Sequence, residues 1–121
     1  MKHSAKSRQR PAADHVPLDS RQLDVVAGLF SVLSEPSRLR ILQILQAGEA
    51  SVGDLVKQTG FKQANVSKQL GVLLASGVIG RRQQGNFAIY SIAMPLVFEL
   101  CELVCNGIAA RAEDLAAALR R

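Results

Sequence analysis

The chain has 121 residues and a formal net charge of +5; 48% of its residues are hydrophobic and only 4% are aromatic, with no tryptophan. That length fits one domain with an apolar core, and no apolar run reaches the roughly 20 residues of a membrane-spanning helix. The scarcity of aromatic residues argues against a surface that stacks the bases of single strands or RNA, whereas the positive charge favours an acidic partner.

The first 17 residues are basic and contain little that could anchor them, so we expect a flexible tail, residues 1–17, ahead of a domain formed by residues 18–121. This tail is either a solvated end or a basic arm that follows a polyanion. Because no apolar stretch follows the basic start, a secretory signal is not expected. His3 and His15 fall in the tail, and we expect no metal role for them.

Apolar residues recur at helical spacing over residues 18–34, which predicts the first helix. The members of this stripe are Leu23, Val26, Ala27, Phe30 and Leu33. Pro36 interrupts that helix and suits the first turn of the next one, for which Ser34 is the predicted cap. The second helix is expected to end near Ala47, before Gly48. Its predicted inward residues are Leu39, Leu42, Ile44 and Leu45.

A short helix, a turn with glycine and a second helix predict a helix-turn-helix. Ser51 and Asp54 have the spacing of a capping box, which starts a helix that runs to about Thr59. Gly60 ends it, and the following helix covers residues 62–76.

Two short strands, residues 78–84 and 87–92, predict a β-hairpin in which Gly85 and Asn86 supply positive φ angles. Pro95 then opens a last helix over residues 95–119. This helix has a broad apolar stripe that one small subunit is not expected to cover alone, made of Leu96, Val97, Leu100, Leu103, Val104 and Ile108.

Between Leu55 and Phe98 the chain contains five lysines and arginines but no aspartate or glutamate. DNA carries about one negative charge per 1.7 Å of helix axis and repels carboxylates. We therefore predict that this acid-free stretch, which includes the helix-turn-helix and the hairpin, contacts nucleic acid.

Within the helix over residues 62–76, an apolar stripe of Val66, Leu70, Leu73 and Leu74 is predicted to dock on the body. The opposite face is expected to carry small and uncharged polar residues around Lys68, whose hydrogen-bonding groups suit base edges and phosphates. These residues are Gln63, Ala64, Asn65, Ser67, Gln69 and Gly71. In the hairpin, at least one of Arg81 and Arg82 should point outward, because neighbouring strand residues face opposite sides.

Several segments in order resemble the ArsR/SmtB family of small bacterial winged-helix repressors. The segments are LSEPSRLRIL (33–42), Asp54-Leu55, NVSKQL (65–70), LLASGVI (73–79) and a wing over residues 81–90. The resemblance implies a mainly α, homodimeric winged helix-turn-helix with about five helices and a two-stranded β-hairpin wing. It also implies that the first and last helices form the dimer interface and that the recognition helices enter successive major grooves of double-stranded operator DNA with dyad symmetry.

On this basis we assign two sets of residues. The predicted DNA-binding residues are Lys62, Gln63, Asn65, Ser67, Lys68, Gln69, Arg81, Arg82 and Asn86. The predicted dimer residues are Leu23, Val26, Phe30, Leu96, Leu100, Leu103 and Val104.

Members of this family commonly release DNA when a metal or metalloid binds, and two of the family's sites are not expected here. Ser51 and Gly53 stand where one site has its Cys-x-Cys pair, and neither is a soft ligand. The last helix begins Met94-Pro95-Leu96, without the aspartate and histidine of the second site. The second helix also lacks the cysteine of the family's redox sensors.

The two cysteines of the chain, Cys101 and Cys105, are four residues apart on the last helix, so both thiols point the same way. They do not form a disulfide framework, and an internal bridge would be strained, so reduced thiols in a cytoplasmic protein are expected. Three roles stay open. The thiols pack as small hydrophobic groups, bind a thiophilic ion such as As(III), Sb(III), Cd(II) or Cu(I), with four thiols converging across a dimer, or respond to oxidation, including an intersubunit disulfide.

The sequence also bears on two other classes of protein. An enzyme is not expected, because the sequence offers no nucleophile–base set, no glycine-rich phosphate loop and no carboxylate pair. An architectural protein that binds DNA without sequence choice is the remaining alternative, although such a protein needs mainly Lys and Arg where this chain has uncharged polar residues.

Overall fold

The computed structural model describes residues 16–120. In chain order its elements are α1 (Ser20–Leu33), α2 (Pro36–Ala47), β1 (Ala50–Ser51), α3 (Val52–Thr59), α4 (Gln63–Ala75), β2 (Ile79–Gln84), β3 (Phe87–Ile92) and α5 (Pro95–Leu119). This mainly helical architecture confirms the predicted fold class. The predicted tail falls almost entirely on residues 1–15, outside the described residues, so it stays a prediction.

The junction between α1 and α2 differs from its prediction in one cap. Ser34 does not cap α2; it ends α1, donating from its hydroxyl to the Ser31 carbonyl oxygen over 2.7 Å. Glu35 caps α2 instead, because its carboxylate accepts the backbone N–H of Arg38 over 3.0 Å while Pro36 occupies the first turn as predicted. A longer acidic side chain thus satisfies the free amide at the helix start.

The core is formed where α2, α3 and α4 meet the sheet and the start of α5. Its fully buried side chains include Ile41, Leu42, Leu55, Leu70, Leu73 and Val97. One prediction for α2 is wrong, because Leu39 is 40% exposed rather than inward. Ile41, which was not among the predicted inward residues, is fully buried. Val97 also belongs to the core and is not part of the exposed stripe of α5.

The helix-turn-helix is held by local hydrogen bonds of the predicted kind. The Ser51 hydroxyl accepts the Asp54 N–H and the Asp54 carboxylate accepts the Ser51 N–H, each over 3.1 Å, which completes the capping box. The hydrogen bond that the Ser51 backbone N–H donates to the Asp54 carboxylate lowers the pKa of Asp54. Gly60 ends α3 in the left-handed region at φ 75°, where a side chain would be strained.

The sheet has three strands in the order β1–β3–β2, all antiparallel, so the predicted two-stranded wing is joined by a short third strand. Ala50 pairs with Tyr90, and Arg81 on β2 pairs with the same Tyr90 from the other side. At the hairpin tip only Gly85 has a positive φ, 61°, so the predicted positive φ at Asn86 is wrong. That φ pattern fits a type II′ turn, which matches the twist of the strands.

Candidate nucleic-acid interface

Helix α4 docks on the body through one face and leaves a polar face open to solvent. Val66, Leu70 and Leu73 are buried against the core. The open face begins at the first turn, where Lys62 and Gln63 are exposed, and it continues through Ser67 and Lys68. A Cβ atom added at Gly71 would meet nothing within 4 Å, so the backbone there is accessible to a large partner.

Gln69 does not lie on this open face, and its predicted position is wrong. Its side chain is only 5% exposed. The Gln69 Oε1 accepts from Arg38 Nη1 over 3.0 Å, and its Nε2 donates to Asn65 Oδ1 over 2.9 Å. Arg38 in turn donates from Nε to the Val32 carbonyl oxygen over 2.6 Å. A polar side chain that is buried and hydrogen-bonded at both ends of its amide is part of the framework behind the open face of α4.

Asn65 occupies an intermediate position between the framework and the open face. It is half-buried in the first turn of α4, and its amide oxygen is the acceptor for Gln69. Residues near the start of a recognition helix are those that reach base edges in helix-turn-helix proteins.

The hairpin carries two arginines in different environments. Arg81 is exposed, and its side chain has no hydrogen-bond partner among residues 16–120. Arg82 forms an ion pair with Glu49, with 2.6 Å between Nη2 and Oε1, and it also donates to Gln84 Oε1 over 2.6 Å. The hydrogen bond with Arg82 lowers the pKa of Glu49, and the same hydrogen bond raises the pKa of Arg82.

Arg38 and Glu49 are the residues that sequence reasoning missed at this interface. Their partners lie 31 and 33 positions away along the chain. No periodicity or spacing signal connects residues so far apart, because the contacts exist only after α2, α4 and the hairpin have packed together.

A second surface, formed by α1 and α5, is apolar. Predicted dimer residues lie exposed on it, with Leu96 at 62%, Leu103 at 73% and Phe30 at 55%. Leu100 is partly buried in the core instead. Exposed apolar residues on two helices of a small domain are typical of a protein–protein contact surface.

An apolar groove with a volume of about 210 Å³ lies between α1, α2 and α5, and both thiols line it. Its walls are Phe30, Leu33, Leu39, Leu100, Cys101, Val104 and Cys105. Cys101 is buried and Cys105 is exposed. Burial, followed by the nearby Cys105 thiol, raises the pKa of Cys101. Within the described part of the chain, no three His, Cys, Asp or Glu residues cluster as a metal site would require.

None of the helices in the described region is long and apolar enough to cross a membrane.

The amino-acid sequence matches a family model described as bacterial regulatory protein, arsR family, over residues 35–80. A helix-turn-helix transcriptional regulator of Mycobacterium tuberculosis is 40% identical over 94 residues, which cover 77% of this chain and 82% of that protein.

Two solved structures are similar to the fold. The AntR antimony-specific transcriptional repressor is 30% identical with a TM-score of 0.77, over 88% of this chain and 96% of that one. The homodimeric winged helix-turn-helix DNA-binding domain of a possible ArsR-family regulator from Mycobacterium bovis is 29% identical with a TM-score of 0.71, over 83% of this chain and 95% of that domain.

Proposed function

The chain belongs to the ArsR family of bacterial regulatory proteins, whose members are DNA-binding transcriptional regulators and not enzymes, and from this premise we propose that it is a homodimeric, sequence-specific repressor of operators with dyad symmetry. The observation that carries the proposal is the open face of α4. It is polar and acid-free, and its one central cation is Lys68.

We assign base reading to the exposed residues Gln63, Ser67 and Lys68 together with the half-buried Asn65. Amide, hydroxyl and ammonium groups at the start of a helix match the donors and acceptors of base edges in the major groove. Lys62, at the N-cap of α4, is assigned to phosphate, since a cation there lies at the edge of the open face of α4.

The hairpin is assigned to the DNA backbone. Arg81 is exposed and free of protein partners within residues 16–120, and Asn86 is exposed at the tip, so both are open to phosphate oxygens. Arg82 is held by Glu49, so we assign it to phosphate only when that ion pair opens.

The apolar surface of α1 and α5 supports assembly with a second copy. A dimer with two-fold symmetry places two copies of α4 about one DNA helical turn apart, which is why its operator has dyad symmetry. The neighbour from Mycobacterium bovis is a homodimer, which agrees with this arrangement.

The experiment that tests this function is selection of preferred duplexes from a random library, followed by competition against random DNA at fixed salt. We expect a palindromic site and a preference of at least about a thousandfold over random DNA. A ratio near one would identify an architectural DNA-binding protein instead.

Lys68→Ala is expected to weaken binding to the selected site by about 1–3 kcal/mol if the ammonium group contacts a base. Arg40→Ala is the matched control, because it also removes one positive charge but lies on α2 beside Cys105, in a groove that contains no residue of α4. Titration of both variants on selected and random duplexes measures the effect. Equal weakening on every sequence would move Lys68 from base reading to phosphate.

Glu49→Gln is expected to strengthen binding to every duplex, because it removes the ion pair that holds Arg82 and a negative charge beside the hairpin. One additional phosphate contact steepens the dependence of log K on log salt by about 0.9 and raises affinity roughly fivefold near physiological salt. Glu113→Gln on α5 is the control for the charge change. If the salt dependence of the Glu49→Gln variant matches wild type, Arg82 does not reach phosphate.

We further infer that a thiophilic ion bound by Cys101 and Cys105 releases the repressor from DNA. Both thiols line one groove and are one helical turn apart. Phe30 and Val104, assigned to the dimer surface, line the same groove, so a bound ion lies next to the dimer contact. The similarity to an antimony-specific repressor supports the choice of As(III) or Sb(III) as the ligand class.

A further inference from the structure

A chain of part-buried hydrogen bonds runs from Arg38 through Gln69 to Asn65, behind the open face of α4. We propose that Arg38 is a positioning residue that orients Asn65 through Gln69, so that α4 presents the Asn65 amide N–H groups and selects a base with an acceptor edge. This inference rests on the proposed function, because it concerns how the same helix reads DNA.

The polarity follows from the chemistry of the first link. A guanidinium group has only donors, so the group that faces Arg38 Nη1 must be the amide oxygen of Gln69 and not its nitrogen. Arg38 cannot turn away, because its Nε is held by the Val32 carbonyl oxygen over 2.6 Å and its backbone N–H by Glu35. Gln69 is 5% exposed and is therefore confined to the orientation that satisfies Arg38.

The second link passes this polarity to Asn65. With its oxygen directed at Arg38, Gln69 offers only its N–H groups in the other direction, and the group that accepts them over 2.9 Å is Asn65 Oδ1. The amide nitrogen of Asn65 is then the end without a hydrogen-bond partner within residues 16–120. Because Asn65 is half-buried, that nitrogen is the part of the side chain left to meet a base.

The base preference follows from the major-groove code. Guanine presents acceptors at N7 and O6, and thymine presents an acceptor at O4, whereas cytosine presents the N4 donor and adenine has an N6 donor beside its N7. An outward N–H group therefore favours guanine or thymine at the contacted position over cytosine or adenine.

Gln69→Glu reverses this polarity without removing the link to Arg38. The carboxylate still accepts from the guanidinium group, but it has no donor for Asn65. Asn65 must then turn its N–H groups toward Glu at position 69 and its oxygen toward DNA. We expect the preferred base at that position to change from guanine or thymine to cytosine or adenine.

The test is library selection with the full chain, comparing wild type with Asn65→Ala, Gln69→Glu and Arg38→Met. Asn65→Ala identifies the contacted position as the one whose preference disappears. At that position we expect about a tenfold preference for guanine or thymine in wild type, a reversed preference in Gln69→Glu and no preference in Arg38→Met. Arg40→Met is the matched control, since it removes the same charge from α2 and is expected to keep the wild-type preference.

Several outcomes would overturn the proposal. They are a wild-type preference for cytosine or adenine at the position, an unchanged preference in Gln69→Glu or in Arg38→Met, or no position that depends on Asn65. If thermal unfolding shows that Arg38→Met is not folded, Gln69→Glu decides whether the link from Gln69 to Asn65 sets the base preference, because that preference is a ratio that uniform weakening does not move. Sequence-independent binding by wild type would instead refute the proposed function itself, and this inference with it.

Discussion

Leu103→Glu is expected to make the protein monomeric and to lower its affinity for a palindromic operator by at least about a hundredfold. Leu103 is 73% exposed on α5, so the substitution leaves the core of each subunit intact. A two-fold interface contacts itself, so one substitution introduces two carboxylates into the same apolar surface. Burying them unpaired is strongly unfavourable, whereas a free subunit keeps them hydrated.

The loss of affinity arises because two linked recognition helices bind with a high effective concentration that separate subunits lack. Light scattering after size exclusion measures the oligomeric state, and titration of whole operators and single half-sites measures the binding. For the variant we expect half-site affinity close to that of wild type. Asn106→Glu is the control, because it adds the same charge to the polar side of α5 near Glu102 and Glu113 by helical spacing. A dimeric Leu103→Glu protein would mean that the interface lies elsewhere.

Helix bounds can be predicted from the sequence where local chemistry determines structure. Capping residues, prolines and glycines set the helix ends, so α5 was predicted at its observed bounds and α4 within one residue at each end. Two-residue strand β1 was missed because its pairing with β3 joins segments about 40 positions apart, and so short a segment carries no alternation to detect.

The errors on α4 and in the hairpin have one physical cause, which is contact between residues that are far apart in the chain. Gln69 was placed outside by helical spacing alone, yet the half-buried Arg38 of α2 supplies the hydrogen-bond donor that makes burial of Gln69 favourable. Arg82 was predicted to contact DNA, yet Glu49, from just outside the acid-free stretch, forms an ion pair with it. Absence of acid in a sequence window therefore does not ensure absence of acid beside the folded surface, and Arg81 is the hairpin arginine left open.

The two cysteines in the apolar groove also lie in different environments. Cys101 is buried with a raised pKa, which by itself suits a packing thiol, whereas Cys105 beside it is exposed in the same groove. Binding of arsenite exchanges hydroxyl groups of As(OH)₃ for two thiol sulfurs and releases water, so the step needs no prior thiolate at both positions and no oxidant. A raised pKa at Cys101 is thus compatible with a dithiol site that arsenite reaches first at the exposed Cys105.

Arsenite is expected to lower the operator affinity of wild type by roughly 5- to 150-fold, the usual range of allosteric coupling, and Cys105→Ser is expected to abolish that response. The exposed position of Cys105 makes this substitution harmless to the core, so DNA affinity without arsenite should equal that of wild type. Titration of operator DNA with and without arsenite, under reducing conditions, measures both the basal operator affinity and its change on arsenite binding. The double variant Cys101→Ser, Cys105→Ser should also show no response to arsenite, because a site that needs two thiols is lost when either thiol is removed. Full release of DNA from the double variant would disprove the thiol site, and release of wild type by peroxide but not by arsenite would assign the pair to oxidation.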